Sequence, residues 1–155
     1  MINAVVIGVG STYRHDDGVG ANVMALLAAT DLADGVRLVE LDGEPSRMID
    51  AWEGCGLAII VDAVTTGAVA GTIHRFAAES LMLTPSGSTS SHSSGFGEAL
   101  RLGEALDRLP DRVVVYGIEG ADFTLGVGLS PPAAAAVGPV VAAIRQELDE
   151  HTGDE

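Results

Sequence analysis

Two aspartates and a histidine stand where side chains of their type could do chemistry: Asp17, Asp62 and His92. Asp17 follows Asp16 in the stretch Val5 to Gly20, VVIGVGSTYRHDDGVG. There an apolar run ends in Gly8 and Gly10, crosses a polar loop, and reaches the carboxylate pair before a new apolar period begins. Asp62 closes the apolar run Leu57 to Val61, LAIIV, and His92 lies within STSSHSSG. Two carboxylates and an imidazole make a partial coordination shell suited to zinc, nickel or a related divalent ion. Its open positions would take a substrate or an activated water. Each residue also has a structural alternative: Asp17 serving a helix dipole, Asp62 ending a strand, His92 solvated in a loop. His15, beside the pair, and His74 are competing imidazoles.

Other chemistries lack their motifs. A dinucleotide fingerprint needs glycine where this chain has Tyr13, and neither a phosphate-binding G-x-x-x-x-G-K-[ST] loop nor a G-x-S-x-G nucleophile turn occurs. Two aspartates at a helix start would also repel a pyrophosphate. Cys55, between two glycines, reads as a small structural residue.

The elements that must position these residues follow from periodicity. Ile2 to Ile7 has the pattern of a strand buried on both faces. Val19, Val23, Leu26 and Leu27 then mark one helix face, with Asp16 as its expected N-cap and Asp17 in its first turn. Val36 to Leu41 gives a second strand, and Pro45 opens a short helix carrying Met48, Ile49 and Trp52. After the strand ending at Asp62, Thr72 to Phe76 reads as an edge strand. The polar stretch Leu83 to Gly95 reads as a mobile loop leading to a helix with Ala99, Leu102, Leu106 and Leu109 on one face. Val113 to Tyr116 is the last strand, and the final helix from Pro131 carries Pro139, an expected kink. Alternating strands and helices imply an α/β three-layer sandwich, a mostly parallel twisted sheet of about five strands with helices on both faces. Residues 1–150 form one domain on this reading, with residues 151–155 a frayed polar tail. In such sheets ligands bind beyond the carboxyl ends of the strands, where Asp17, Asp62 and His92 would gather.

At 155 residues the chain is long enough for one well-buried core. Apolar residues make up 47% of it, yet the longest Ala/Val-rich run, Pro131 to Ile144, is interrupted by Gly138 and Pro139 and falls short of a membrane span. A net charge of −14 disfavours nucleic acid and anionic membranes as partners and suits basic peptide segments. No export signal is read at the N-terminus, and the single cysteine permits no internal disulfide, so a cytoplasmic location is expected.

Five ordered segments resemble the hydrogenase maturation endopeptidases, which trim the C-terminal extension from the large subunit of nickel-iron hydrogenases. They are VVIGVGSTYRHDDGVG, VELDGEPSRMID, LAIIVDAV, the histidine of STSSHSSG, and VYGIEG with GLSPPAAAAVGPVV. The resemblance implies a cytoplasmic, monomeric, aspartic-type endopeptidase in which Asp17, Asp62 and His92 engage nickel and carry catalysis. The partner it implies is the hydrogenase large-subunit precursor, which supplies the nickel; zinc or cadmium would substitute in a crystal. Three positions depart from the family pattern: Ser11 replaces an asparagine, Asp42-Gly43-Glu44 replaces D-G-G, and Ser93 follows the histidine. Glu44 is thereby a candidate fourth ligand. The alternative reading is a non-catalytic nickel- or partner-binding α/β module.

Overall fold

The computed structural model describes residues 3–77 and 96–153. Strand β1 (Ala4–Val9) is buried along its whole length and pairs in parallel with β2 (Val36–Leu41) on one side and β3 (Leu57–Val64) on the other. On the far side of β3, β5 (Arg112–Glu119) is also parallel, and β4 (Ile73–Ala77) closes that edge antiparallel to β5. The order is β2-β1-β3-β5-β4, the mostly parallel five-stranded sheet expected. Buried β-branched runs occupy the three central strands, as a sheet covered on both faces requires.

Helices α1 (Val19–Ala28) and α4 (Pro131–Gly153) share one core with Val6, Ile59, Val61 and Tyr116. Helices α2 (Pro45–Trp52) and α3 (Phe96–Ala105) share the opposite core with Ile7, Ile60 and Val115. This division completes the three layers.

Several local expectations change. Strand β3 continues past Val61 to Val64, so Asp62 lies inside the strand rather than after it, and β5 runs on to Glu119. In α1 the buried stripe is Val19, Val23, Met24 and Leu27, with Leu26 partly exposed. In α3 it is Phe96, Ala99, Leu100 and Gly103, which turns Leu102 and Leu106 outward, and the helix ends near Asp107, whose φ is +55°. A 3.6-residue period admits neighbouring stripes, and packing against Trp52 and its neighbours selects one of them. The expected tail is also shorter, because α4 continues to Gly153 and the His151 ring packs toward Gly56. Helix α4 continues through Pro139 unbroken.

One close approach fixes how α1 meets the sheet. A Cβ on Gly20 would lie 2.8 Å from the Val9 carbonyl oxygen and 3.0 Å from that of Val61. The start of α1 therefore presses onto the carboxyl ends of β1 and β3, which any side chain would prevent. Gly20→Ala is expected to destabilise the protein by about 1–2 kcal/mol, the overpacking cost exceeding a helix-propensity gain of roughly 1 kcal/mol. Urea denaturation measures it, and unchanged stability would show that this contact is not tight.

Candidate functional site

The carboxyl edge of the sheet is built first by the β1–α1 connection. Gly10 turns the chain with a φ of +129°, and a Cβ there would fall 2.1 Å from the Asp17 carbonyl oxygen. Only glycine fits that conformation and that approach. Residues His15–Gly18 form a 3-10 turn ahead of α1. Asp17 lies half-buried in it, and its Oδ2 accepts the Ser11 N–H at 2.8 Å. The bond closes the loop on itself and fixes the carboxylate. It uses the backbone of residue 11, so the serine at that position still makes it.

Asp62 is fully buried on β3, with Oδ1 accepting the Ala63 N–H at 2.8 Å. Alternation along β3 gives it the face of Ala58, Ile60 and Val64, the side covered by α2 and α3. The 3-10 turn packs against β3, and Gly20 abuts the carbonyl of Val61 beside Asp62. Asp17 and Asp62 are thus brought to one end of the sheet. His92 lies outside the described residues, as does the serine-rich segment around it, four positions ahead of Phe96 in the chain. Among the described residues, no three His, Cys, Asp or Glu side chains gather into a group able to hold a metal ion. Two carboxylates of the expected trio are at the edge, and they provide hard oxygen donors of the kind a divalent cation accepts.

Asp16 is not a helix cap, since Gly18 precedes α1 and no side chain caps it. Its carboxylate is fully buried and reaches across the molecule to the β5–α4 connection. Oδ2 accepts the N–H groups of Ala121 and Asp122 at 2.7 and 3.1 Å and the Ser130 hydroxyl at 2.7 Å, while Oδ1 accepts the Ser130 N–H at 2.7 Å. Burial opposes ionisation of this group, but the backbone bonds from Ala121 and Ser130, the Ser130 hydroxyl and the Asp122 N–H outweigh it and hold the carboxyl below its ordinary range. These partners lie more than a hundred positions away in sequence, so nothing near Asp16 announced them.

The other candidates also have structural duties. His15 has a φ of +43°, its Nδ1 is 2.9 Å from the Gly128 carbonyl oxygen, and its ring lies against Gly126. His74 Nε2 lies 3.0 Å from Oε1 of the buried Glu119; Oε1 also accepts the Thr66 hydroxyl at 2.6 Å, and Oε2 accepts the Thr66 N–H at 2.7 Å. Burial opposes ionisation of Glu119, yet the Thr66 bonds first and His74 next hold its carboxyl low. Glu44 is the N-cap of α2, its carboxylate accepting the N–H groups of Ser46 and Arg47 at 3.1 and 3.0 Å. A cavity of about 280 Å³ beside Arg75, Tyr116 and Glu147 opens on the α4 side of the sheet, the face opposite Asp62. Burial and the neighbouring Glu147 push the Tyr116 hydroxyl up to about 12.

Comparison with known proteins gives a consistent result. The family model described as hydrogenase maturation protease matches residues 22–147. The hydrogenase expression/formation protein HupM of Azotobacter chroococcum is 25% identical over 150 residues, covering 90% of this chain and 68% of the relative. A Methanocaldococcus jannaschii protein assigned as a hydrogenase maturation protease is 28% identical over 149 residues, covering 93% of this chain and 95% of its own. The fold is shared with the solved hydrogenase maturating endopeptidase HybD of Escherichia coli, with a TM-score of 0.79, 20% identity, and coverage of 96% of this chain and 93% of that one.

The Asp16 tether predicts a pH response. Its folded carboxyl titrates below the ordinary value of 3.8, so its stabilisation is complete above about pH 4 and is lost as pH falls through the lower folded value. Asp16→Ala, which strands buried donors, is expected to lower stability by about 2–4 kcal/mol at pH 7. It should also flatten the decline below pH 4. Denaturation at pH 7 and pH 3.5 tests both, and equal stabilities of the two proteins at pH 7 would refute the tether.

Proposed function

The chain belongs to the hydrogenase maturation protease family, and on that footing we propose that it is the cytoplasmic endopeptidase that removes the C-terminal extension of a nickel-iron hydrogenase large-subunit precursor after nickel insertion. The observation that best supports this reading is the pair of carboxylates at the sheet's carboxyl edge: Asp17 held by the Ser11 N–H, and Asp62 buried on β3. In such a fold this edge is where ligands are received. On this reading Asp17, Asp62 and His92 engage the nickel ion that the precursor brings. Two carboxylates and one imidazole leave positions for the precursor's own ligands, so a filled nickel site becomes the condition for docking.

Cleavage then needs a water directed at the scissile carbonyl and a group to handle its proton. A carboxylate of the pair accepts that proton as the water oxygen adds to the carbonyl carbon. The proton passes to the amide nitrogen as the C–N bond breaks, leaving a new carboxylic acid and an amine. Holding the peptide beside a fixed carboxylate supplies the orientation on which the rate depends. The absence of a serine-nucleophile motif agrees with this assignment of an aspartic-type, metal-engaging protease.

Asp17→Ala, Asp62→Asn and His92→Ala are each expected to reduce cleavage of the nickel-loaded precursor by at least ~100-fold. Mass spectrometry of the released C-terminal peptide measures the loss, and circular dichroism verifies the fold. Undiminished cleavage by all three variants would overturn the residue assignment. Tight nickel-dependent binding of the precursor with no shortening by the wild-type protein would favour the binding-module reading instead.

A further inference from the structure

Exposed apolar residues are concentrated at one place. Among the described residues, the large hydrophobic side chains more than two-thirds exposed are Tyr13 at 70%, Val69 at 81%, Leu125 at 74% and Val127 at 75%. All four lie on the connections at the carboxyl edge: β1 to α1, β3 to β4, and β5 to α4. Of the remaining exposed large hydrophobics, Ile73 opens β4 at the same edge but is only 37% exposed, whereas Leu26, Leu102 and Leu106 lie on or just after helices and are no more than half exposed. Scattered surface hydrophobics need no explanation, but a cluster around a candidate site does.

Three of the four sit on a rigid support. The Gly126 N–H donates to the Tyr13 carbonyl at 2.9 Å, and the His15 N–H donates to the Gly126 carbonyl at 2.9 Å, so the two loops run side by side in a short parallel bridge. Below it, the Asp16 N–H donates to the Asp122 carbonyl at 2.9 Å, and the Asp16 carboxylate holds Ala121, Asp122 and Ser130. Tyr13 belongs to the loop that Asp17 closes through Ser11, and its own N–H donates to Ser11 Oγ at 3.2 Å. The proposed reactive carboxylate and the apolar side chains are therefore parts of one hydrogen-bonded unit. A unit ordered before binding loses little entropy when a partner arrives, which is what a docking surface requires.

We propose that Tyr13, Leu125 and Val127 form a preformed apolar ledge that receives an apolar segment of the protein substrate next to the bond to be cut. This rests on the endopeptidase reading and deepens it, since it assigns substrate recognition to hydrophobic contact beside Asp17. A chain of net charge −14 could otherwise select its partner by charge, and the two modes differ in salt dependence. Apolar docking persists at high salt; docking by exposed charge weakens steeply.

The test is calorimetric binding of the nickel-loaded large-subunit precursor to the wild-type protein and to the variant Tyr13→Ser/Leu125→Ser/Val127→Ser at 50 and 500 mM NaCl, together with the rate of precursor cleavage by each. The triple variant is expected to bind at least tenfold more weakly, and in the cleavage assay its loss should appear in KM rather than kcat. Wild-type binding should change less than threefold with salt. Leu125→Ser and Val127→Ser alone should each weaken binding about threefold, which keeps the test open if the triple variant melts early, and Leu125→Met should restore it. Binding by the triple and single variants equal to that of the wild-type protein would overturn the ledge while leaving the endopeptidase reading intact, as would wild-type binding that collapses at 500 mM NaCl. Precursor that binds through the ledge but is never cut would instead sink the endopeptidase reading alone. A wild-type protein that neither binds nor cuts the precursor overturns both.

Discussion

A buried carboxylate must be satisfied by donors, and Asp16 obtains them from a loop more than a hundred positions further along the chain. The edge architecture follows from that requirement. Ala121, Asp122 and Ser130 converge on one side chain, which draws the β5–α4 connection against the β1–α1 connection and sets the start of α4. A charged group with this many bonds in a low-dielectric setting has one arrangement of its partners and a high cost for any other. The glycines add a steric condition to the electrostatic one. Gly10 and Gly20 let backbone meet backbone where a Cβ would collide, so the turn carrying the aspartates sits directly on β1 and β3.

The two adjacent aspartates thereby divide their labour. Asp16 faces inward and holds loops together, whereas Asp17 is half-buried, makes one bond to its own loop, and stands at the end of the sheet that Asp62 shares. The arrangement keeps the residue that fixes the loops distinct from the one proposed to meet the substrate. The His74–Glu119–Thr66 cluster does comparable work on the other flank, tying the β3–β4 connection to the end of β5.

The mostly parallel, helix-covered sheet could be anticipated because buried runs such as Leu57 to Val61 alternate with amphipathic helices, whereas the strand order comes from the structure alone. Helix faces were less legible: Leu102 and Leu106 fit the period of α3 as well as Phe96 and Leu100 do, and only tertiary packing decides between them. Asp17 and Asp62 could be singled out because strand ends in such folds converge. The work of Asp16 could not, because two neighbouring carboxylates look alike until a partner 114 positions away is in place. The cap that Glu44 forms through the N–H groups of Ser46 and Arg47 is likewise not read from the sequence, where that carboxylate stands only as a candidate ligand. His74 and Glu119 sit on separate strands, and only the antiparallel register of β4 with β5 brings them within reach.

The central claim is that a protease of this family reads a filled nickel site through its edge carboxylates before it cuts. The most direct measurement gives the wild-type protein the same large-subunit precursor in nickel-loaded and nickel-free form and follows the C-terminal peptide by mass spectrometry. The account predicts release from the loaded precursor alone. Equal release from both forms would contradict it.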